Sequence, residues 1–80
     1  MICTRIPPLP EWAQPGCTVL YNARPVVVHA AVFFRRGARG VPHLVVGRRP
    51  RTDGESYSGE WVVYWNDGNC RYPLRRLRRP

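Results

Sequence analysis

The chain lacks lysine entirely, so its positive charge comes from thirteen arginines set against only five acidic residues. Its formal net charge is +8 over 80 residues. A charge of this size favours association with anionic partners such as nucleic acid or acidic protein surfaces. An arginine excess without lysine is also what the codon bias of a GC-rich genome produces. Both explanations of the charge stay open at the level of sequence.

Long apolar runs are also missing, since the longest spans residues 26–34 and a membrane span needs roughly 18 residues. The first residues contain one arginine followed by prolines, and they lack the apolar core of a signal peptide. The chain has three cysteines, Cys3, Cys17 and Cys70, and no two of them have CxxC spacing. The disulfide framework of a small secreted domain usually has an even number of cysteines at higher density. We therefore expect a cytoplasmic chain with reduced thiols and no membrane partner.

Groups suited to catalysis or metal binding are scarce. His29 lies within an apolar run and His43 at the start of a predicted strand, and the sequence places no serine or cysteine beside either. Asp53 and Glu55 have a spacing that matches no standard pair of catalytic carboxylates. The cysteines and histidines form no pair at zinc-ligand spacing. The sequence predicts a protein that is not an enzyme and uses neither cofactor nor metal.

Residues 1–15 contain four prolines, at positions 7, 8, 10 and 15. Because proline fixes φ and lacks an N–H, this stretch predicts a proline-rich extended arm. Trp12 is the large aromatic residue of the arm. It either packs back on the domain or contacts a partner, and packing is favoured because a small domain needs the buried area.

Residues 16–80 are predicted to be one all-β domain of five short strands. β-branched and aromatic runs place these strands at residues 17–21, 26–34, 43–46, 61–65 and 70–72. The long second strand is expected to bend near Ala30 and Ala31. Asp67-Gly68 between the last two strands is a hairpin signal, since glycine accepts positive φ. Alternation puts Trp61, Val63 and Trp65 on one face of their strand.

The segment after Pro73 carries two leucines among arginines. Leu74 and Leu77 are three residues apart, which places both on one side of a 3-10 or α turn. We expect the leucines to plug the end of the β structure while the neighbouring arginines face solvent. If successive strands form a meander, residues 35–39 and the Asp67-Gly68 turn share one end, and residues 48–51 lie at the other.

This order of elements resembles an SH3-like barrel of the Tudor, chromo-barrel or KOW kind. The resemblance rests on residues 16–20, residues 61–68 and residues 72–74 together with Leu77. It implies a five-stranded SH3-like barrel with a short C-terminal 3-10 turn. Tudor-type relatives also imply an aromatic cage for a methylated cation as an alternative use of the aromatic residues.

The end of the chain also resembles, more weakly, the type II dihydrofolate reductases. Their terminal region has a strand, Tyr-Pro and a leucine-bearing turn, as Tyr72-Pro73-Leu74 has here. The functional motif of that family is Val-Gln-Ile-Tyr, and residues 69–72 agree with it only at Tyr72. The resemblance therefore extends to the fold and not to the active site.

Arginine clusters are the predicted functional feature, because the forked guanidinium matches phosphate and neutralised phosphates release counterions. Tyr57 and Trp12 are added as residues that stack or contact a partner. The main hypothesis is a nucleic-acid-binding module, and the alternative is a protein-binding adaptor or inhibitor, phage or mobile-element encoded, that docks on an acidic surface of a larger enzyme. The predicted nucleic-acid-binding residues are Arg35, Arg36, Arg39, Arg48, Arg49, Arg51, Arg71, Arg75, Arg76, Arg78 and Arg79.

Overall fold

The computed structural model describes residues 6–36, 42–50, 57 and 59–80, which fold into a mostly β structure. This confirms the predicted all-β class. In chain order the elements are the 3-10 helix η1 (Glu11–Ala13), strands β1 (Thr18–Tyr21), β2 (Arg24–Val27), β3 (Ala30–Phe34), β4 (Pro42–Gly47), β5 (Trp61–Trp65) and β6 (Cys70–Pro73), and the 3-10 helix η2 (Leu74–Arg76).

The six strands form two antiparallel sheets. One is the β1–β2 hairpin, and the other has the order β4-β3-β5-β6. An isolated bridge between Leu20 and Arg78 joins β1 to the chain that follows η2. Across the described residues the two sheets do not close into a barrel, so the predicted five-stranded barrel is not confirmed. The 3-10 turn predicted around Leu74 is confirmed as η2.

The single long strand predicted over residues 26–34 is two strands, because its backbone changes partner at Val28 and His29. The Val28 N–H donates to the Cys17 carbonyl at 2.8 Å, which extends the pairing of the first sheet. The His29 N–H donates to the Tyr64 carbonyl at 2.7 Å, in the second sheet. The expected bend therefore exists, but it lies slightly before Ala30 and Ala31.

Strand β5 pairs with β3 and not with β4, which overturns the meander and its arrangement of loops. The register sets both Gly47 and Tyr64 opposite Ala30, so β4 and β5 end at the same end of β3. A Cβ atom at Gly68 would lie 3.0 Å from Pro50 Cβ, which places the Asp67-Gly68 turn beside the segment after β4. The prediction that this turn shares an end with residues 35–39 is wrong for Arg35 and Arg36, the members of that segment that the structure describes.

Both faces of β5 are buried, which explains its aromatic and β-branched composition. Val63 and Trp65 belong to a core cluster shared with β1, while Val62 and Tyr64 belong to a second cluster with β3. The predicted alternation along this strand is confirmed. Trp61 lies on the same face as Val63 and Trp65, in a third cluster that includes Phe33.

The N-terminal segment packs against this core from Ile6 onward. The Trp61 indole N–H donates to the Pro7 carbonyl at 2.7 Å. Leu9 and Trp12 contact the cluster that contains Val63, and Ala13 is fully buried. Trp12 is therefore half-buried against the domain, and the favoured packing of this side chain is confirmed.

The turn between β1 and β2 contains an alanine in a left-handed conformation. Asn22 and Ala23 have φ values of 48° and 65°, as in a type I′ turn. Left-handed backbone costs about 1–2 kcal/mol for a residue with a Cβ. Glycine avoids that cost but raises the entropy of the unfolded chain, which offsets part of the gain. We expect Ala23→Gly to raise the free energy of unfolding by about 0.5 kcal/mol, measured by urea denaturation. Ala23→Val is the control and should destabilise, and a less stable glycine variant would contradict the assigned turn.

Candidate nucleic-acid interface

Two tyrosines from different sheets stack on each other at the surface. Tyr21 ends β1 and Tyr72 lies in β6, and their ring centroids are 4.5 Å apart with an interplanar angle of 23°. We call them the tyrosine pair. Trp65 lies behind them, 5.4 Å from Tyr21 and 5.9 Å from Tyr72 between ring centroids. Both tyrosines are half-buried, whereas Trp65 is only 8% exposed, so the pair forms the accessible edge of this aromatic cluster.

The tyrosine pair separates two open grooves that arginines line. Arg24 and Arg71 line the first groove, of about 610 Å³, together with Asn69. Arg75, Arg76 and Arg78 line the second groove, of about 480 Å³. We call the tyrosine pair and these five arginines the arginine–tyrosine surface.

One of these arginines contacts the tyrosine pair directly. The guanidinium carbon of Arg76 lies 5.9 Å from the centroid of the Tyr72 ring, within cation–π range. The described residues that line the two grooves include no carboxylate. The surface is therefore suited to an anion. A cage for a methylated cation is disfavoured, because a ligand cation would meet the positive charge of Arg24, Arg71 and Arg76.

The arginines after Pro73 are held in place by backbone pairing and by a buried leucine. Leu20 and Arg78 exchange two backbone hydrogen bonds, of 2.9 and 3.0 Å. Leu77 is 3% exposed and packs in the core cluster with Val19 and Val63. Arg75, Arg76 and Arg78 are consequently exposed on a fixed turn, as the sequence predicted for residues that flank a buried leucine.

Arg75, which lines the second groove, forms an ion pair with Glu60, which lies outside the lining of that groove. Arg75 Nε lies 3.1 Å from Glu60 Oε1, with the arginine side chain 65% exposed. An ion pair this exposed contributes at most about 1 kcal/mol, so Arg75 can exchange Glu60 for another anion at small cost. Arg78 Nη1 donates to the Arg75 carbonyl at 3.5 Å, a long bond that orients the Arg78 side chain along the turn.

The hydroxyl groups of the tyrosine pair are linked. A hydrogen bond with the Tyr72 side chain, and secondarily burial, raises the pKa of Tyr21, while the positive charge of Arg76 acts in the opposite direction. Since the ordinary pKa of tyrosine is already about 10, Tyr21 is neutral at physiological pH. Tyr21 therefore presents a neutral ring between arginines and adds no negative charge that would repel an anion.

The predicted arginines divide into three groups in the structure. Arg71, Arg75, Arg76 and Arg78 line the grooves just described, and Arg79 is exposed after them. The second group consists of predicted arginines that line neither groove and are exposed: Arg35, Arg36, Arg48 and Arg49. The predicted residues Arg39 and Arg51 lie outside the described residues.

The arginines after β3 and β4 lie at opposite ends of β3. Arg36 lies beside Gly59, where an added Cβ atom would be 3.2 Å from the Arg36 Nε. The next residue, Glu60, pairs with Arg75 of η2. Arg48 follows Gly47, whose register partner is Ala30 at the other end of the strand. Arg36 therefore lies near Glu60 and its partner Arg75, whereas Arg48 and Arg49 follow the strand end that faces Ala30.

Tyr57 and Trp12, predicted to contact a partner, have neighbours within the domain. The Tyr57 ring stacks on Phe34 with 6.2 Å between centroids, and it also lines the first groove. Trp12 packs on the core and borders a separate groove of about 430 Å³ with Trp61 and Leu74.

Sequence reasoning missed Arg24 as a member of the site and treated Tyr72 as a strand residue. The signal that was present is the order Tyr-Asn-Ala-Arg at residues 21–24. A two-residue hairpin turn sets its flanking residues opposite each other, and Tyr21 is indeed the register partner of Arg24. An aromatic and an arginine in those positions are brought together by the turn itself.

The chain has no detectable similarity to known proteins, and its described residues contain neither a metal-site cluster nor a membrane-spanning helix. No family model, curated protein or solved structure matches the chain. Within the described ranges, no three His, Cys, Asp or Glu side chains come together as a metal site requires. None of the helices found there is long and apolar enough to cross a lipid bilayer.

Proposed function

We propose that this protein is a small, non-enzymatic module that binds nucleic acid, with its arginine–tyrosine surface contacting the phosphates. The observation that carries the proposal is the gathering of Arg24, Arg71, Arg76 and Arg78 around the tyrosine pair, in grooves whose described lining lacks a carboxylate. Arginine is suited to this role because its planar fork of donors matches the oxygens of a phosphate.

The extent of the surface favours a polymer over a small phosphate ligand. The arginines lie on both sides of the tyrosine pair, and the two grooves share only Tyr21 and Tyr72. A mononucleotide would fill one groove and place no phosphate beside the arginines of the other. A polynucleotide satisfies both, and each neutralised phosphate adds affinity through counterion release.

The fold proposed for this module is an SH3-like barrel that is nearly closed. A closed barrel requires its first and last strands to meet, and the Leu20–Arg78 bridge supports that relation here. The bend at Val28 and His29, where one continuous segment passes from the first sheet to the second, supports it as well. We also propose a cytoplasmic location, which is supported by the free thiols of Cys17 and Cys70.

The experiment is a salt titration that compares two pairs of substitutions of equal charge. In Arg76→Gln/Arg78→Gln the loss falls on the arginine–tyrosine surface, and in Arg48→Gln/Arg49→Gln it falls on exposed arginines that line neither groove. Each phosphate contact contributes roughly 0.7–0.9 to the slope of log K against log salt. We expect the first double variant to reduce the magnitude of that slope by about 1.5 and the second to leave it nearly unchanged.

Two results would count against the proposal. An affinity of the wild-type protein that does not respond to salt would remove phosphate contacts altogether. Equal losses in the two double variants would show that net charge alone attracts the polyanion, with no localised surface. Fluorescence anisotropy with labelled oligonucleotides at 50–200 mM salt covers the range in which a phosphate-based affinity changes steeply.

A second candidate function is a protein-binding adaptor or inhibitor that docks on an acidic surface of a larger enzyme. The observation that favours it is the groove bordered by Pro7, Trp12, Trp61 and Leu74, which has Arg75 and Arg78 at its edge. Apolar floors with charged rims are common at protein interfaces. Recovery of one protein partner after nuclease treatment, and its loss in Trp12→Ala, would favour this function over the first.

A further inference from the structure

We infer that the tyrosine pair is a stacking site for unpaired bases, so that the ligand of this surface is single-stranded nucleic acid. The inference rests on the proposed function and narrows it to one class of polymer. What carries it is the position of two parallel aromatic rings between two arginine-lined grooves.

The arrangement has the two components that proteins use to bind single strands. Such proteins combine a positively charged groove that follows the phosphates with aromatic rings on which successive bases stack. Here the grooves supply the charge on both sides, and Tyr21 and Tyr72 stand where the grooves meet. A strand that runs from one groove to the other therefore passes over the tyrosine pair.

The first groove has room and polar groups for a base. Its volume of about 610 Å³ falls in the range of sites that hold small planar ligands, roughly 300–1,000 Å³. The Asn69 side chain lines it and offers both a donor and an acceptor to the edge of a base. Trp65, under the tyrosine pair, keeps the floor of the groove aromatic.

A duplex cannot use these features in the same way. Its bases are stacked on one another and present only their edges in the grooves of the helix. It would contact the arginines with phosphates and leave the tyrosine pair unused. The structure therefore predicts that base-bearing single strands bind more tightly than duplexes or than bare sugar-phosphate backbones of the same length.

The experiment compares four labelled ligands with wild-type protein: a 12-nucleotide thymidine strand, a uridine strand of the same length, an abasic strand with the same phosphates, and a 12-base-pair duplex. Base–aromatic stacking predicts roughly 10-fold tighter binding of the thymidine strand than of the abasic strand. Tyr21→Leu should bring the two within about 2-fold of each other, while Tyr21→Phe, which keeps the ring, should retain the preference. The salt slope should stay the same in both variants, because neither loses an arginine.

The outcomes separate this inference from the function on which it rests. Equal, steeply salt-dependent binding of the thymidine and abasic strands, or tighter binding of the duplex, would overturn the inference and leave phosphate binding in place. Salt-insensitive binding of every ligand would overturn the proposed function itself. If Tyr21→Leu proves unfolded by circular dichroism, the comparison of thymidine and abasic strands on wild-type protein still decides. Comparison of the uridine and thymidine strands shows which of the two polymers is preferred.

Discussion

Gly47→Ala is expected to lower the free energy of unfolding by about 3–5 kcal/mol, enough to unfold much of so small a domain. Gly47 ends β4 with a φ of 101°, where a side chain introduces strain. A Cβ atom there would lie 2.7 Å from Pro15 Cγ and 2.8 Å from the His29 carbonyl oxygen. Neither neighbour is the free end of a flexible side chain, so the backbone would have to move. Urea denaturation followed by tryptophan fluorescence measures the loss.

Gly16→Ala is the matched control for that substitution. Gly16 has a similar φ of 92°, but a Cβ there would meet no heavy atom within 4 Å. It therefore introduces the backbone strain without the overlap, and we expect a loss of about 1–2 kcal/mol. The difference between the two variants measures how tightly Pro15 and His29 pack over the end of β4. Equal losses in both would mean that this packing is absent in solution.

Leu77→Ala is expected to remove about 2–5 kcal/mol of stability and to weaken the proposed nucleic-acid binding at the same time. Leu77 is 3% exposed and packs against Val19, Val63 and Trp65. Its truncation leaves a cavity directly beneath the turn that presents Arg76 and Arg78. Thermal unfolding would report the stability, and anisotropy well below the melting temperature would report the binding of the molecules that remain folded.

Leu44→Ala removes the same atoms from a surface position and serves as the control. Leu44 is 43% exposed in β4, so the expected change in stability is within about 0.5 kcal/mol. It lies outside both grooves and should leave affinity unchanged. If Leu77→Ala were destabilised but kept the wild-type affinity of its folded fraction, the buried leucine would not be what holds the arginines in position.

Local patterns predicted the β5–β6 hairpin and the short terminal helix well. The hairpin is determined by residues close in sequence: an apolar run, a turn with Gly68 in left-handed conformation, and a second extended run. The three-residue spacing of Leu74 and Leu77 is itself the helical period, so it predicts the short turn without any distant contact. Where a structural choice depends on neighbours within a few residues, one sequence contains enough information to make it.

Pairing between distant strands was not predictable in the same way. Nothing in the sequence of β5 distinguishes β3 from β4 as its partner. Both strands are short and carry apolar residues, and either could pair with β5 in the antiparallel direction. The choice depends on which arrangement buries Val62 and Tyr64 against Val32 and Phe34, as the second core cluster does. That is a property of packing over the whole domain, and it decided where the basic segments lie.

The sequence predicted the arginines of the candidate site but did not predict the tyrosine pair between them. The terminal arginines stand out as a run in the sequence, and charged side chains so close together are usually exposed. The tyrosine pair joins residue 21 to residue 72 across two sheets, so it exists only once both sheets have packed. The register sets Tyr72 opposite Val63, but alternation within one strand does not reveal which residue from another sheet Tyr72 meets.

The bridge between Leu20 and Arg78 also has a consequence for the order of events in folding. It closes a loop that includes most of the chain, and such closure costs entropy that is recovered only when the distant partners arrive. The hairpins can form early, and the β1–β2 turn already brings Arg24 to Tyr21, but Arg75, Arg76 and Arg78 are held beside the tyrosine pair only after residue 78 has joined β1. A nascent chain in which residue 78 has not yet paired with β1 carries exposed arginines without the assembled surface, so the proposed localised binding requires that pairing.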